Sequence, residues 1–157
     1  MRGNEQVLNF LNETLKAELT AINQYFLHAK MCQNWGYMRL AEYNRDESID
    51  EMKHAERLMD RILLLDGTPN MSDLFQIRIG SNVKEQIEND LALEHEARER
   101  LNRAIRTSVE VGDNASRDLF SDILVEEEHH IDWLEAQLHM IGEIGLQNYL
   151  SQQMHKK

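Results

Sequence analysis

The sequence holds one proline, one cysteine and seven glycines in 157 residues. So few chain breakers exclude a sandwich of many short strands, a small barrel and a Pro/Gly-rich disordered chain, and they leave long helices. The single cysteine, Cys32, cannot form a disulfide within the chain, which fits a reducing compartment and leads us to expect a cytoplasmic protein. Aromatic residues make up 6%, too few for the stacking platforms that bind single-stranded nucleic acid. No apolar run reaches the roughly eighteen residues of a membrane span, and MRGNEQVLNF lacks the uncharged apolar stretch of a signal peptide. Positive charge is scarce too: 17 Lys and Arg stand against 28 Asp and Glu, a formal net charge of -11. Nucleic acid, which draws affinity from phosphate neutralisation, is excluded as a partner, whereas metal cations suit such a chain.

What is present is apolar residue enough for a core (41%) and charge enough for a wet surface (29%), in a length typical of one domain, residues 1–157. The breakers place the elements. Asn4 caps a first helix that runs to about Trp35 and stops at Gly36. A second spans about Met38 to Asp66, closed by Gly67, Pro69 and Asn70. Residues 67–81 lack helical periodicity. A third helix runs from about Val83 to Val111, and a fourth from Ala115 to about Ile141, with Gly142 and Gly145 at its end. GLQNYLSQQ makes a short fifth, and the tail is expected to fray beyond Leu150. The connections at 36–37 and 112–114 are short enough to make antiparallel hairpins. The middle one is long enough to span a whole helix, so the expected fold is all-α, a four-helix bundle with one long crossover and a short C-terminal helix.

A repeat runs through this pattern. Glu51-Met-Lys-His54 and Glu127-Glu-His-His130 are both Glu-x-x-His, 76 positions apart, and Glu18 and Glu94 stand at the same offset. Each hairpin thus carries one lone Glu on its first helix and one Glu-x-x-His on its second, at matching heights of roughly 20–27 Å from the turn at 1.5 Å per residue. Every member interrupts an apolar stripe: Glu18 lies with Leu11, Leu15, Ile22 and Tyr25; Glu51 and His54 with Leu40, Glu47, Leu58 and Ile62; Glu94 with Ile87, Leu91 and Leu101; Glu127 and His130 with Phe120, Ile123, Leu134 and Leu138. Four carboxylates and two imidazoles then point into the core. Buried without partners, each costs several kcal/mol, and two divalent cations remove that cost. Structural zinc prefers Cys and His and magnesium keeps its waters, so iron or manganese fits this set. It is the ligand set of di-iron carboxylate bundles.

The stretches NQYFLHAKM, DESIDEMKHAERLMDRIL, LDGTPN, IRIGSNVKE, DLALE, VEEEHHIDWLE and GLQNYL resemble bacterioferritin along essentially the whole chain, and three of them contain five of the six positions, all but Glu18. The resemblance implies a ferritin-like bundle, a 24-subunit hollow cage built from two-fold dimers, storage of ferric mineral and haem b shared between two subunits. It implies two irons per subunit: Glu18 and His54 serving one, Glu94 and His130 the other, Glu51 and Glu127 bridging. Fe(II) and O2 or H2O2 are then the substrates of a ferroxidase, and a small ferredoxin is the expected partner in iron release. Haem-free ferritin, a di-iron peroxidase like rubrerythrin's bundle domain and a cage subunit with an inactive centre are the rival readings.

Tyr25, Asp50, Glu126 and Met52 stand close to this set in the sequence pattern. Tyr25, two turns after Glu18 on its stripe, either supplies an electron or orders a water, or is packed with its hydroxyl bonded. Asp50 and Glu126, matched in the repeat, are expected to hold His130 and His54 across the bundle through their outer nitrogens. By resemblance, Asp50 also belongs to an inner-surface iron site whose usual histidine is Asp46 here. Met52 faces away from the core on a second apolar stripe, Ile49, Met52, Met59 and Leu63, beside Leu19 and Phe26 on the first helix. A two-fold axis would present it twice, and the family's SIDEMKHA stretch marks it as the haem ligand. The arginines at 98, 100, 103 and 106 are expected to pair with nearby acids. Cys32 is read as a packing residue, and so are Trp35 and Trp133.

Overall fold

The computed structural model describes residues 1–155. Four long helices, α1 (Glu5–Trp35), α2 (Met38–Leu64), α3 (Val83–Glu110) and α4 (Asn114–Ile144), are followed by a short α5 (Leu146–Ser151). α1 packs on α2 and α3 on α4 as two hairpins, which join through α1 against α3 and α2 against α4. The fold is the all-α ferritin-like bundle expected.

Local chemistry explains the ends. Asn4 Oδ1 accepts from the amides of Gln6 and Val7, and Asp113 Oδ1 from that of Ser116, satisfying free N–H groups at two helix starts. The first hairpin turns at Gly36, whose φ of 87° suits a residue without Cβ. The fourth helix overruns the expected end: Gly142 lies within it, and the chain breaks at Gly145. One glycine inside a long helix costs only about 1 kcal/mol, which is too little to end it. The tail does not fray after Leu150. Tyr149 is buried with its hydroxyl donating to Gln137 Oε1 at 2.7 Å, and the Arg39 amide donates to Gln153 O at 3.0 Å, so the C-terminal segment satisfies a donor at the uncapped start of α2. The part of that expectation concerning residues 156–157 lies outside the described residues.

The crossover, residues 65–82, is held by one edge of α1. Asn12, Lys16, Thr20, Gln24 and His28 recur every fourth residue and therefore share a face. Asn12 Oδ1 accepts from the Asn70 amide at 2.8 Å, Thr20 Oγ1 from Phe75 at 2.9 Å, Gln24 Oε1 from Arg78 at 3.1 Å and His28 Nε2 from Gly80 at 3.1 Å, while Lys16 Nζ lies 4.3 Å from the centre of the Phe75 ring. His28 Nδ1 in turn lies 3.0 Å from the buried Asp90 carboxylate. An extended segment with no ladder of its own is tethered this way to helix side chains.

The core divides into two apolar layers. One gathers Val7, Leu11, Leu15, Leu58, Ile62, Leu101, Phe120 and Ile123. The other gathers Cys32, Leu40, Val83, Ile87, Leu134, Ile141 and Tyr149. Between them in sequence, on all four helices, lie the charged residues of the repeat. Among the described residues no helix is long and apolar enough to cross a membrane.

Candidate metal centre

The structure brings Glu18, Glu51, His54, Glu94, Glu127 and His130 into one buried cluster, each no more than 7% exposed. Two overlapping groups result: Glu18, Glu51, His54 and Glu127, and Glu51, Glu94, Glu127 and His130, with ligating atoms in each within 4.8 Å of one another. Glu51 and Glu127 belong to both. His54 Nδ1 lies 3.5 Å from Glu18 Oε2, 3.8 Å from Glu51 Oε1 and 3.4 Å from Glu127 Oε1. His130 Nδ1 lies 3.4 Å from Glu51 Oε1 and 3.8 Å from both Glu94 Oε2 and Glu127 Oε2. The two halves of the sequence repeat are thus two halves of one site.

Six of the inward atoms are unsatisfied. Glu18 Oε2, Glu51 Oε1, Glu94 Oε2, Glu127 Oε1 and both Nδ1 atoms are buried without a hydrogen-bond partner. Buried polar groups are otherwise almost always paired, so six orphans aimed at one space mark a place for cations. The donor set, four carboxylates and two imidazoles in two four-residue groups, suits two ions of iron type.

The electrostatics of the protein side agree. Burial raises Glu51 well above the carboxylate range, and Glu127 and Glu18 add to it. Glu94 is raised by burial and by Glu127. Burial would also raise Glu127, but Glu94 and the two imidazoles outweigh it and hold that carboxyl well below its usual range. Burial alone would lower His54, yet Glu127 and Glu18 push it up to about 11, and His130 is raised in the same way by Glu127, Glu47 and Glu94. Without metal the cluster holds protons that a cation must expel.

The outer nitrogens find different partners from one another. His54 Nε2 meets Glu126 Oε2 across the bundle, as expected. His130 Nε2 does not meet Asp50; Glu47 Oε2 lies 2.6 Å from it as an ion-pair contact. Glu47 lies one turn before Glu51 on the inward stripe and is 7% exposed, whereas Asp50 is turned about 100° from Glu51 toward the rim. Its carboxylate still gathers with Glu47 and His130 in a third group of possible ligands. Glu47 stands on the inward stripe in the sequence, but its repeat counterpart is Ile123, so the repeat alone gives it no ligand-holding role.

Tyr25 is fully buried, and its hydroxyl donates to Glu94 Oε1 at 2.9 Å. Burial and Glu94 raise its pKa well above the ordinary value, so it serves as a neutral donor. Met52 lies outside this cluster, 48% exposed, on a face that also exposes Phe26, Ile49 and Leu63. A soft thioether among uncovered apolar side chains fits an apolar macrocycle that needs an axial ligand. Asp46 is exposed. Cys32 is buried, donates to Gln86 Oε1 at 3.3 Å, and burial next to Asp90 pushes its thiol up to about 12, which excludes a nucleophile. Trp133 stacks on Tyr43 with ring centres 3.5 Å apart, but Trp35, at 37% exposed, is not packed away within the chain. Arg98 and Arg100 pair with Glu128 and Glu13.

Comparison with known proteins adds lineage to geometry. Residues 8–144 match the family model for the ferritin-like domain. Among curated proteins, the chain is 53% identical over 152 residues to a bacterioferritin of Mycolicibacterium paratuberculosis, covering 97% of this chain and 96% of that protein. It is 53% identical over 151 residues to a bacterioferritin of Streptomyces coelicolor (96% and 90% covered) and 44% identical over 149 residues to one of Brucella melitensis (95% and 92%).

Proposed function

The chain belongs to the bacterioferritins, within the ferritin-like family, and from that premise we propose that it is an iron-storage ferroxidase whose centre is the six-residue cluster. The observation that carries this reading is the convergence of six orphaned ligating atoms in two groups that share Glu51 and Glu127. Fe(II) is the substrate. Glu18 and His54 hold one ion, Glu94 and His130 the other, and Glu51 and Glu127 bridge them. Two Fe(II) give up two electrons together: O2 with two protons leaves as H2O2, or H2O2 with two protons leaves as two waters, and no one-electron product is released.

The remaining residues set up that exchange. Glu126 and Glu47 fix the two rings by their outer nitrogens, so each Nδ1 faces inward. Tyr25 orients Glu94. Protons displaced from His54, His130, Glu51 and Glu94 on binding are available for oxidant reduction close by. Asp50, grouped with Glu47 and His130, is a resting place for Fe(III) leaving the pair. The chain acts as one domain, assembled in the cytoplasm into a 24-subunit cage from two-fold dimers. Met52 and its symmetry mate hold haem b between two chains. Bound there, haem supplies a one-electron carrier for returning stored iron to Fe(II), with a small ferredoxin as the electron source.

Stopped-flow oxidation of two Fe(II) per chain tests the centre. The wild type is expected to show a fast phase saturating at that ratio, and Glu18→Ala and His130→Ala to lose it. An unchanged fast phase in both variants would overturn the assignment.

A further inference from the structure

Asp90 is a buried carboxyl that neither proposed ion uses. It stands one turn before Glu94 on α3, about 6 Å along the axis, and is 1% exposed. Gln24 Nε2 donates to its Oδ1 at 2.8 Å, and His28 Nδ1 lies 3.0 Å from the same oxygen. The crossover fixes both partners from behind: the Arg78 amide donates to Gln24 Oε1 at 3.1 Å and the Gly80 amide to His28 Nε2 at 3.1 Å. A ring nitrogen that accepts from an amide carries no proton of its own. His28 therefore holds its one proton on Nδ1, toward Asp90, and is no cation while the crossover is in place. The other elements bring Asp90 no cation either. α1 adds Cys32 and Tyr25 and α2 adds Tyr43, all three held neutral by burial. α4 adds only Trp133 and Leu134 to this surrounding, and Arg78 turns its guanidinium to Glu96 at 2.6 Å. A buried carboxyl without a counter-charge favours the neutral acid, and Oδ2 is left to carry the proton. Burial raises Asp90 by more than His28 and Gln24 lower it.

We propose that Asp90 stores a proton beside the oxidation centre and gives it up, by way of the Tyr25 hydroxyl, as the oxidant is reduced. This rests on the ferroxidase reading above and adds a proton source to it. Tyr25 donates to Glu94 Oε1 at 2.9 Å, and Glu94 and then Asp90 add to the effect of burial on it, so its hydroxyl lies near both carboxyls. The ligands shed their protons as Fe(II) binds, before oxidation; Asp90 binds no metal and still holds its own when oxidation begins. Reduction of O2 to H2O2 by two Fe(II) consumes two protons and leaves two more positive charges among the same four carboxylates. In the step assigned here the Asp90 O–H bond breaks and its proton passes to the Tyr25 oxygen. Tyr25 passes its own proton to the oxidant, where one O–H bond of the H2O2 product forms. Tyr25 ends neutral and Asp90 ends as a carboxylate, whose negative charge offsets part of the charge gained. A cavity of about 10 Å³ beside Asp90, shared with Cys32, Asn44 and Gln86, has room for about one water to solvate that carboxylate.

The test uses the whole assembly in wild-type, Asp90→Asn and Asp90→Glu forms. Infrared spectra are taken at pH 7 after loading with Co(II), which expels the ligand protons and undergoes no oxidation there. Asp90 is the one buried aspartate among the described residues. The wild type is expected to keep a C=O stretch of a neutral carboxyl that shifts when aspartate carries carbon-13 and is missing from Asp90→Asn. Absence of a label-sensitive band, or its survival in Asp90→Asn, would overturn the proposal; the labelled wild type decides this even if Asp90→Asn does not assemble. In stopped-flow oxidation of Fe(II), the wild-type fast phase should be level between pH 6 and pH 7. Asp90→Asn should be slower by about tenfold or more at pH 7 and recover toward pH 6, where solvent supplies the proton, and Asp90→Glu should restore the level profile. A slowing of Asp90→Asn that is equal at both pH values would mark a structural role and overturn the proposal. A fast phase unchanged in Asp90→Asn would overturn it and leave the ferroxidase reading standing, whereas a wild type with no fast phase would remove both.

Discussion

At the scale of single residues, the groups of the buried cluster couple stability to pH. His54, raised to about 11 from its ordinary 6.5, contributes stability that is present in full below pH 6.5 and lost as pH rises through about 11. The raised Glu51 and Glu94 act in the same direction, since they bind protons in the fold above the pH at which an unfolded glutamate releases them. Glu127 acts the other way, losing its contribution as pH falls through its lowered value. Metal requires the deprotonated forms of most of these groups. The increase in melting temperature produced by Co(II), used as a redox-inert stand-in for Fe(II), is therefore expected to grow from pH 5.5 to pH 8; an increment that shrinks over that interval would contradict the assignment. Glu47→Gln keeps the volume but weakens the hold on His130, and should lower metal affinity at that half of the site by about 10–100-fold in a competition titration. These six positions were legible in the sequence because charge on an apolar stripe is costly and the cost recurs at a fixed offset. Glu47 was not singled out because Ile123 breaks the repeat there, and Asp50 was given its role because the repeat is kept.

At the scale of elements, helices and hairpins were readable from Gly36, Gly67 and Gly112, and the crossover's length from the missing periodicity. The means by which the crossover is held was not. Thr20, Gln24 and His28 look in sequence like an ordinary polar edge, since nothing in a side chain's identity says that a distant backbone amide will come to it. Two changes test that tether. Thr20→Val keeps the shape and removes the acceptor of the Phe75 amide, which should cost about 1–3 kcal/mol and speed exchange of that amide over its neighbours. Gly80→Ala should destabilise by about 1–3 kcal/mol in denaturant unfolding, because a Cβ there would lie 2.3 Å from the Gln86 amide nitrogen, in backbone that cannot give way easily. Gly142 teaches the opposite lesson: a glycine in a long packed helix is a weak stop, and only Gly145, at φ 86°, ends it.

At the scale of the whole molecule, the two helical hairpins make a matched pair, each giving one Glu and one Glu-x-x-His to a site neither completes alone. Apolar layers lie to either side of the level at which the two halves meet. The outer surface keeps a second apolar face around Met52, which the proposed two-fold dimer would cover. Light scattering of the purified protein should give a particle of twenty-four chains, with one haem for every two chains by pyridine haemochrome; a stable dimer would favour a peroxidase without storage, and a haem-free cage with Met52 intact would favour a simple ferritin. The central claim is the pair of ions, and anomalous diffraction at the iron edge from crystals soaked anaerobically in Fe(II) reaches it most directly. Two peaks about 3.5–4 Å apart, one beside Glu18 and His54 and one beside Glu94 and His130, are the predicted result. Iron found only outside the bundle, with no peak among these six side chains, would contradict it.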